Sequence, residues 1–205
     1  MGTKFERERY CVQQLATLLQ LPANVEYRDP LIDHRRETGV DVMAVICSKR
    51  IGFQVTEYDG GEGNAEIKPG RMRAEEVKLV RVARETGTCV YGGFGSPHVE
   101  QAFGARVAAK VRKSQTYDFL DYDEVWLLVS ANIPGAGLST FVPHFHIEPD
   151  LLNQWTAATL ASSRYTTAFF HIIMGDALFA WDRIAGWQKL VDRQHERKSD
   201  GHQGP

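Results

Sequence analysis

Between Gly39 and Gly61 the chain reads GVDVMAVICSKRIGFQVTEYDGG, two strand-like runs joined by a short polar turn at CSKR. The first run, DVMAVI, opens on Asp41 and is built from small, apolar and β-branched residues. The second, IGFQVTEY, alternates cleanly. In a strand successive side chains point to opposite faces, so Ile51, Phe53 and Val55 fall on one side and Gly52, Gln54 and Thr56 on the other. The predicted hairpin holds a carboxylate at one strand's start and a polar pair, Gln54 and Thr56, on one face of the next. That layout is common around metal-assisted hydrolysis.

The flanks carry two further anomalies. Phe5–Leu19 has the apolar stripe of an amphipathic helix (Phe5, Val12, Leu15, Leu19), with Thr3 as its N-cap. Glu8 falls on that stripe, either at its edge near the helix N-terminus, where the dipole favours a carboxylate, or turned into an active site. A later helix, predicted over residues 98–119 with Ser96 as N-cap and Pro97 at its start, has the stripe Phe103, Val107, Val111 and Tyr117. Lys110 lies on its half-buried side, and Lys113 lies one turn further and slightly round. Both lysines either snorkel to water or send one ammonium over the sheet.

Elsewhere the pattern predicts a short strand near Val25–Tyr27, a polar connector with His34, a glycine-rich surface loop over Tyr58–Gly70 and a helix at Met72–Thr86 capped by Gly87. The glycines of YGGFG do not form a dinucleotide fingerprint, and the 58–70 loop has neither calcium-loop nor phosphate-loop spacing. Asp123–Ala131, nearly all apolar, reads as a central strand. His144, His146 and Glu148 alternate in PHFHIEPD, a spacing open to a transition metal or to a plain edge segment. A helix at Leu151–Ser162, a strand at Thr166–Gly175 and a hairpin turning near Ala185–Gly186 follow. His171, between Phe170 and Ile172, reads as a core histidine.

At 205 residues the chain predicts a single α/β domain over 1–191 and a disordered polar tail over 192–205. A net charge of −2 gives no bulk positive field to mark nucleic-acid binding. Cys11, Cys47 and Cys89 are odd in number and far apart, and Cys11 and Cys47 read as buried thiols of a reducing compartment. With no apolar signal core and no membrane-length apolar run, the expectation is a cytoplasmic protein without membrane contact.

The order helix, hairpin, helix, strand, with Asp41 at a strand start and Gln54-Val55-Thr56 on the next strand, resembles the core of the PD-(D/E)XK nuclease superfamily over roughly residues 5–131. It looks closest to bacterial members with Glu-Val-Thr at the tripeptide and a lysine-bearing helix before a Trp-Leu-Leu-Val-type strand. Lys110, Lys113, Tyr117 and Trp126-Leu127-Leu128-Val129 stand at the later positions.

The resemblance implies a restriction-endonuclease-like core, a central mixed β-sheet flanked by helices, and a Mg²⁺-dependent nuclease hydrolysing phosphodiester bonds in DNA or RNA. Asp41 would be the principal metal ligand, with the Val55 carbonyl or the Gln54 side chain as second contact. Glu8 would bind metal directly or through water. Lys110 or Lys113 would replace the lysine missing at position 56. Gln54 is neutral where the family usually has a carboxylate, and alternation sends Glu57 to the opposite face unless a bulge shifts the register. A weakened or inactive site would leave a nuclease-fold protein that binds nucleic acid or a protein partner.

Overall fold

The computed structural model describes residues 3–22, 26–29, 39–58, 96–131, 147–173 and 177–192, with 96–102 and 192 described by backbone alone. The predicted helix at Met72–Thr86, the glycine-rich stretch past Tyr58, His34, Cys89, His144, His146 and the tail past Asp192 lie outside the described residues.

Helix α1 (Lys4–Leu18) begins where the sequence places its cap. Thr3 Oγ1 accepts the Glu6 N–H at 3.2 Å, and Glu6 Oε2 accepts the Thr3 N–H at 2.5 Å, a reciprocal capping box. Its inward face is Cys11, Val12, Leu15 and Ala16. Strands β1 (Glu26–Arg28), β2 (Val42–Ile46) and β3 (Lys49–Tyr58) follow as an antiparallel set.

The hairpin is tighter than its sequence suggests. Ile46 pairs with Lys49, which leaves Cys47 and Ser48 as a two-residue turn with φ of 50° and 66°. Two left-handed residues are what a primed turn needs to match the twist of its strands, so Lys49 and Arg50 belong to β3 rather than to the turn. Cys47 is therefore exposed at the hairpin tip, contrary to the expectation of a buried thiol, whereas Cys11 is buried.

Helix α2 (Ser96–Ser114) crosses to β4 (Glu124–Ala131), which pairs parallel to β3. Helix α3 (Pro149–Ala161) crosses to β5 (Thr167–Ile172), parallel to β4; β6 (Ala177–Asp182) and β7 (Gly186–Asp192) close the sheet antiparallel. The result is one seven-stranded mixed sheet in chain order, β1-β2-β3-β4-β5-β6-β7. Helix α2 stops five residues short of the predicted Phe119. The N–H groups of Gln115, Thr116 and Tyr117 bond back three residues rather than four, tightening the chain out of the α-helix.

Both faces of the sheet are covered. Under α1 lie Val42, Ala44, Ile51, Phe53, Val55, Leu128 and Phe169; under α2 and α3 lie Met43, Tyr58, Leu127, Val129, Phe170 and Phe179. Double coverage explains the nearly unbroken apolar run of β4, where alternate residues serve opposite cores. Leu127, Leu128 and Val129 are fully buried, each worth roughly 1.5–3 kcal/mol of apolar transfer. The alternation read in β3 holds: Gly52 faces Val40 and Tyr122, where a Cβ would stand 2.8 Å from Val40 Cγ2. His171 is buried in β5. Among the described residues no helix is long and apolar enough to cross a membrane.

Candidate active site

Strand β3 outruns its neighbour. The β2–β3 ladder ends with Val42 opposite Phe53, while β3 continues to Tyr58. Just before β2, the Asp41 N–H donates to the Phe53 carbonyl at 2.8 Å. Val55, two residues on along the same edge, has no β2 residue opposite it, and side chains take the strand's place. Its N–H donates to Asp41 Oδ2 at 2.9 Å, and its carbonyl accepts from Lys110 Nζ at 2.9 Å. A buried backbone pair left open by the sheet is thus satisfied by one carboxylate and one ammonium.

Those two groups belong to a larger cluster. Lys110 Nζ lies 3.6 Å from Asp41 Oδ2. On the other side of Asp41, Lys4 Nζ stands 3.2 Å from Asp41 Oδ1 and 3.2 Å from Glu8 Oε1. Two carboxylates and two ammoniums, drawn from α1, the start of β2 and α2, therefore meet at the notch. A cavity of 270 Å³ opens beside them, walled by Glu8 and Cys11 of α1, by Val55, Thr56 and Glu57 of β3 and by Lys110 of α2.

The environment shifts these groups in opposite senses. Burial, then the nearby Asp41 charge, raises the Glu8 carboxyl above its ordinary value, with Lys4 and Lys110 pulling back. Burial lowers Lys110 below an ordinary lysine, against the opposing pull of Asp41 and Glu8. Burial also works to lower Lys4, but Asp41 and Glu8 together outweigh it and hold that ammonium above its usual range. Burial pushes the Cys11 thiol up to about 11, so it is protonated at neutral pH and a poor nucleophile.

Of the residues singled out in the sequence, Glu8, Asp41, Val55 and Lys110 come together. Gln54 is buried on the opposite side of β3 from Val55, and both ends of its amide are engaged. Its Nε2 donates to the Gly39 carbonyl, and its Oε1 accepts from the Tyr165 hydroxyl. A metal at Gln54 would compete with Tyr165 for that oxygen. Burial raises the Tyr165 hydroxyl, which keeps it a donor. Lys113 is exposed, and Thr56 is buried. The β3–β4 register runs without a shift from Ile51 to Tyr58, so no bulge moves Glu57 to the face of Gln54. Glu57 nonetheless borders the cavity from the α1 side. Glu148 is exposed and serves as the N-cap residue of α3.

Three participants were not singled out from the sequence. Lys4 had a local signal, the i, i+4 spacing to Glu8. Arg7, on the rim, had only its place on the first turn of α1. Tyr165 had none, since 111 residues separate it from Gln54.

Chemically, two carboxylates already sharing one cation supply hard oxygen donors, with an ammonium 3.6 Å from one of them. Among the described residues no group of three or more His, Cys, Asp and Glu is placed to hold a metal ion. Magnesium, however, is usually held by one or two carboxylates, with water and substrate phosphate completing the shell, and the Glu8–Asp41 pair fits that requirement. Searches of family models, curated proteins and solved structures for relatives of this chain each find no match.

Proposed function

We propose that the chain is a Mg²⁺-dependent phosphodiester hydrolase of the PD-(D/E)XK kind, acting on nucleic acid. One observation carries the reading: Asp41 and Glu8, 33 positions apart in sequence, converge on a single cation with Lys110 beside them. The order of elements supports it, with a helix, three antiparallel strands, a second helix and a strand parallel to the third.

In this reading Asp41 and Glu8 would hold the ion, which would supply Lewis-acid polarisation and an acidified water. Asp41 is held for this by the Val55 N–H, which fixes Oδ2 and leaves Oδ1 on the cation it shares with Glu8. Lys110 faces the charge that develops on the phosphate, in a partly dry site where an ammonium counts for more than in water. Gln54 positions rather than ligates: it ties Gly39, two residues before Asp41, to Tyr165 beneath the sheet.

A second reading, a nuclease-fold protein that binds without cleaving, rests on the same residues. Gln54 is committed and neutral, and Asp41 and Lys110 already satisfy the Val55 backbone, so the cluster closes on itself without a ligand. Incubation with plasmid, single-stranded DNA and RNA in Mg²⁺ or Mn²⁺ separates the two. The hydrolase reading expects cleavage that is lost with chelator, in Asp41→Asn and in Lys110→Met, and that survives in His144→Ala. Retained nucleic-acid binding without cleavage selects the second reading. Absence of both cleavage and calorimetric metal binding sinks the first.

A further inference from the structure

Lys4 stands in an unusual place for a lysine. It is the first residue of α1, at the positive end of the helix dipole, where a cation is disfavoured. The spacing to Glu8 is that of an ordinary surface pair on a helix, but its second contact, to Asp41, spans 37 residues and is not helical. Its ammonium touches one oxygen of each carboxylate at equal distance, 3.2 Å, while its side chain is 74% exposed. The stem is thus free to swing into water, whereas Lys110, 22% exposed and bonded to the Val55 carbonyl, is built in.

We infer that Lys4 is a tethered counter-ion that occupies the position between Glu8 and Asp41 and must be displaced by a divalent cation. The inference rests on the metal reading of this site and adds to it a competitor carried by the chain itself. With Lys4 and Lys110 both in place the two carboxylates are neutralised locally and tolerate their partial burial. When a divalent ion enters, Lys4 leaves to the rim, and the ion replaces one positive charge with two. Lys4 therefore makes the apoprotein stable at the expense of metal affinity, and sets the concentration at which the metal enters.

Mn²⁺ titration by calorimetry and thermal unfolding with and without Mn²⁺ read this out on the full chain, comparing wild type, Lys4→Met, Lys4→Arg and Asp41→Asn. Removing a competitor held by two part-exposed ion pairs tightens Mn²⁺ binding in Lys4→Met by about three- to tenfold. The same variant gains a larger rise in Tm from Mn²⁺ than wild type does. Lys4→Arg, which keeps the charge, stays near wild type, and Asp41→Asn loses binding. Equal or weaker binding in Lys4→Met, in protein whose circular dichroism is that of wild type, overturns the role of Lys4 and leaves the metal site standing. If neither wild type nor Lys4→Met binds Mn²⁺, the metal reading falls and takes this role with it. If Lys4→Met binds more tightly yet neither protein cleaves nucleic acid, the role of Lys4 holds and the hydrolase reading alone fails.

Discussion

Gln54 decides how the site differs from the pattern it resembles. Its amide uses both characters at once, donating to the Gly39 carbonyl and accepting from Tyr165, and no carboxylate can do both. Gln54→Glu, which supplies the charge usual in the nuclease pattern the sequence resembles, should therefore destabilise the fold rather than improve the site. It would set an ionised oxygen against the Gly39 carbonyl in a buried place, at a cost of about 2–4 kcal/mol by urea unfolding. Burial would raise the new carboxyl in the folded state. The penalty is then full at neutral pH and shrinks as pH falls through that raised value, because the protonated acid donates to Gly39 again. Unchanged stability at pH 7 would contradict this role. Glu8 and Lys110 were legible in the sequence because each sits on the apolar side of its helix, and Asp41 because it opens the first strand of the hairpin. The use of Gln54 was not, because its partner Tyr165 enters from the far end of a crossover.

The hairpin and α1 place the groups that matter, and both were read from local pattern. Thr3 and Glu6 announce the start of α1, and with that start fixed Lys4 and Glu8 fall on consecutive turns of one face. The hairpin's strands were legible from alternation, but its turn was not, since neither Cys47 nor Ser48 is a residue that favours positive φ. That mismatch makes a prediction at the level of the element. Replacing Cys47-Ser48 by Asn-Gly should stabilise the protein by about 1 kcal/mol in urea without altering metal binding, because the turn lies at the opposite end of the hairpin from Asp41. A loss of stability would mean that the turn is not the two-residue left-handed one described. The end of α2 was misjudged for a related reason: Tyr117 continues the apolar rhythm, yet it packs against Phe119 from a turn rather than from a helix.

At the scale of the molecule, the α/β class followed from the alternation of helix and strand patterns and the mixed sheet was expected only from the resemblance, whereas the strand order was not legible, because periodicity says nothing about which strands become neighbours. The order matters to the site. β3 lies between an antiparallel partner that stops early and a parallel partner that pairs with it to its last residue, so a notch opens on one side while the other stays paired. Asp41, Glu8 and Lys110 converge there because β2 stops short of Val55. The central claim is that this notch holds a divalent cation. The most direct measurement is the anomalous difference map of a crystal soaked in Mn²⁺. The account predicts a peak between the Asp41 and Glu8 carboxylates at inner-sphere distance, about 2.1 Å, with the Lys4 ammonium moved out to solvent. A map with no peak there, and Lys4 still bridging the two carboxylates, would contradict it.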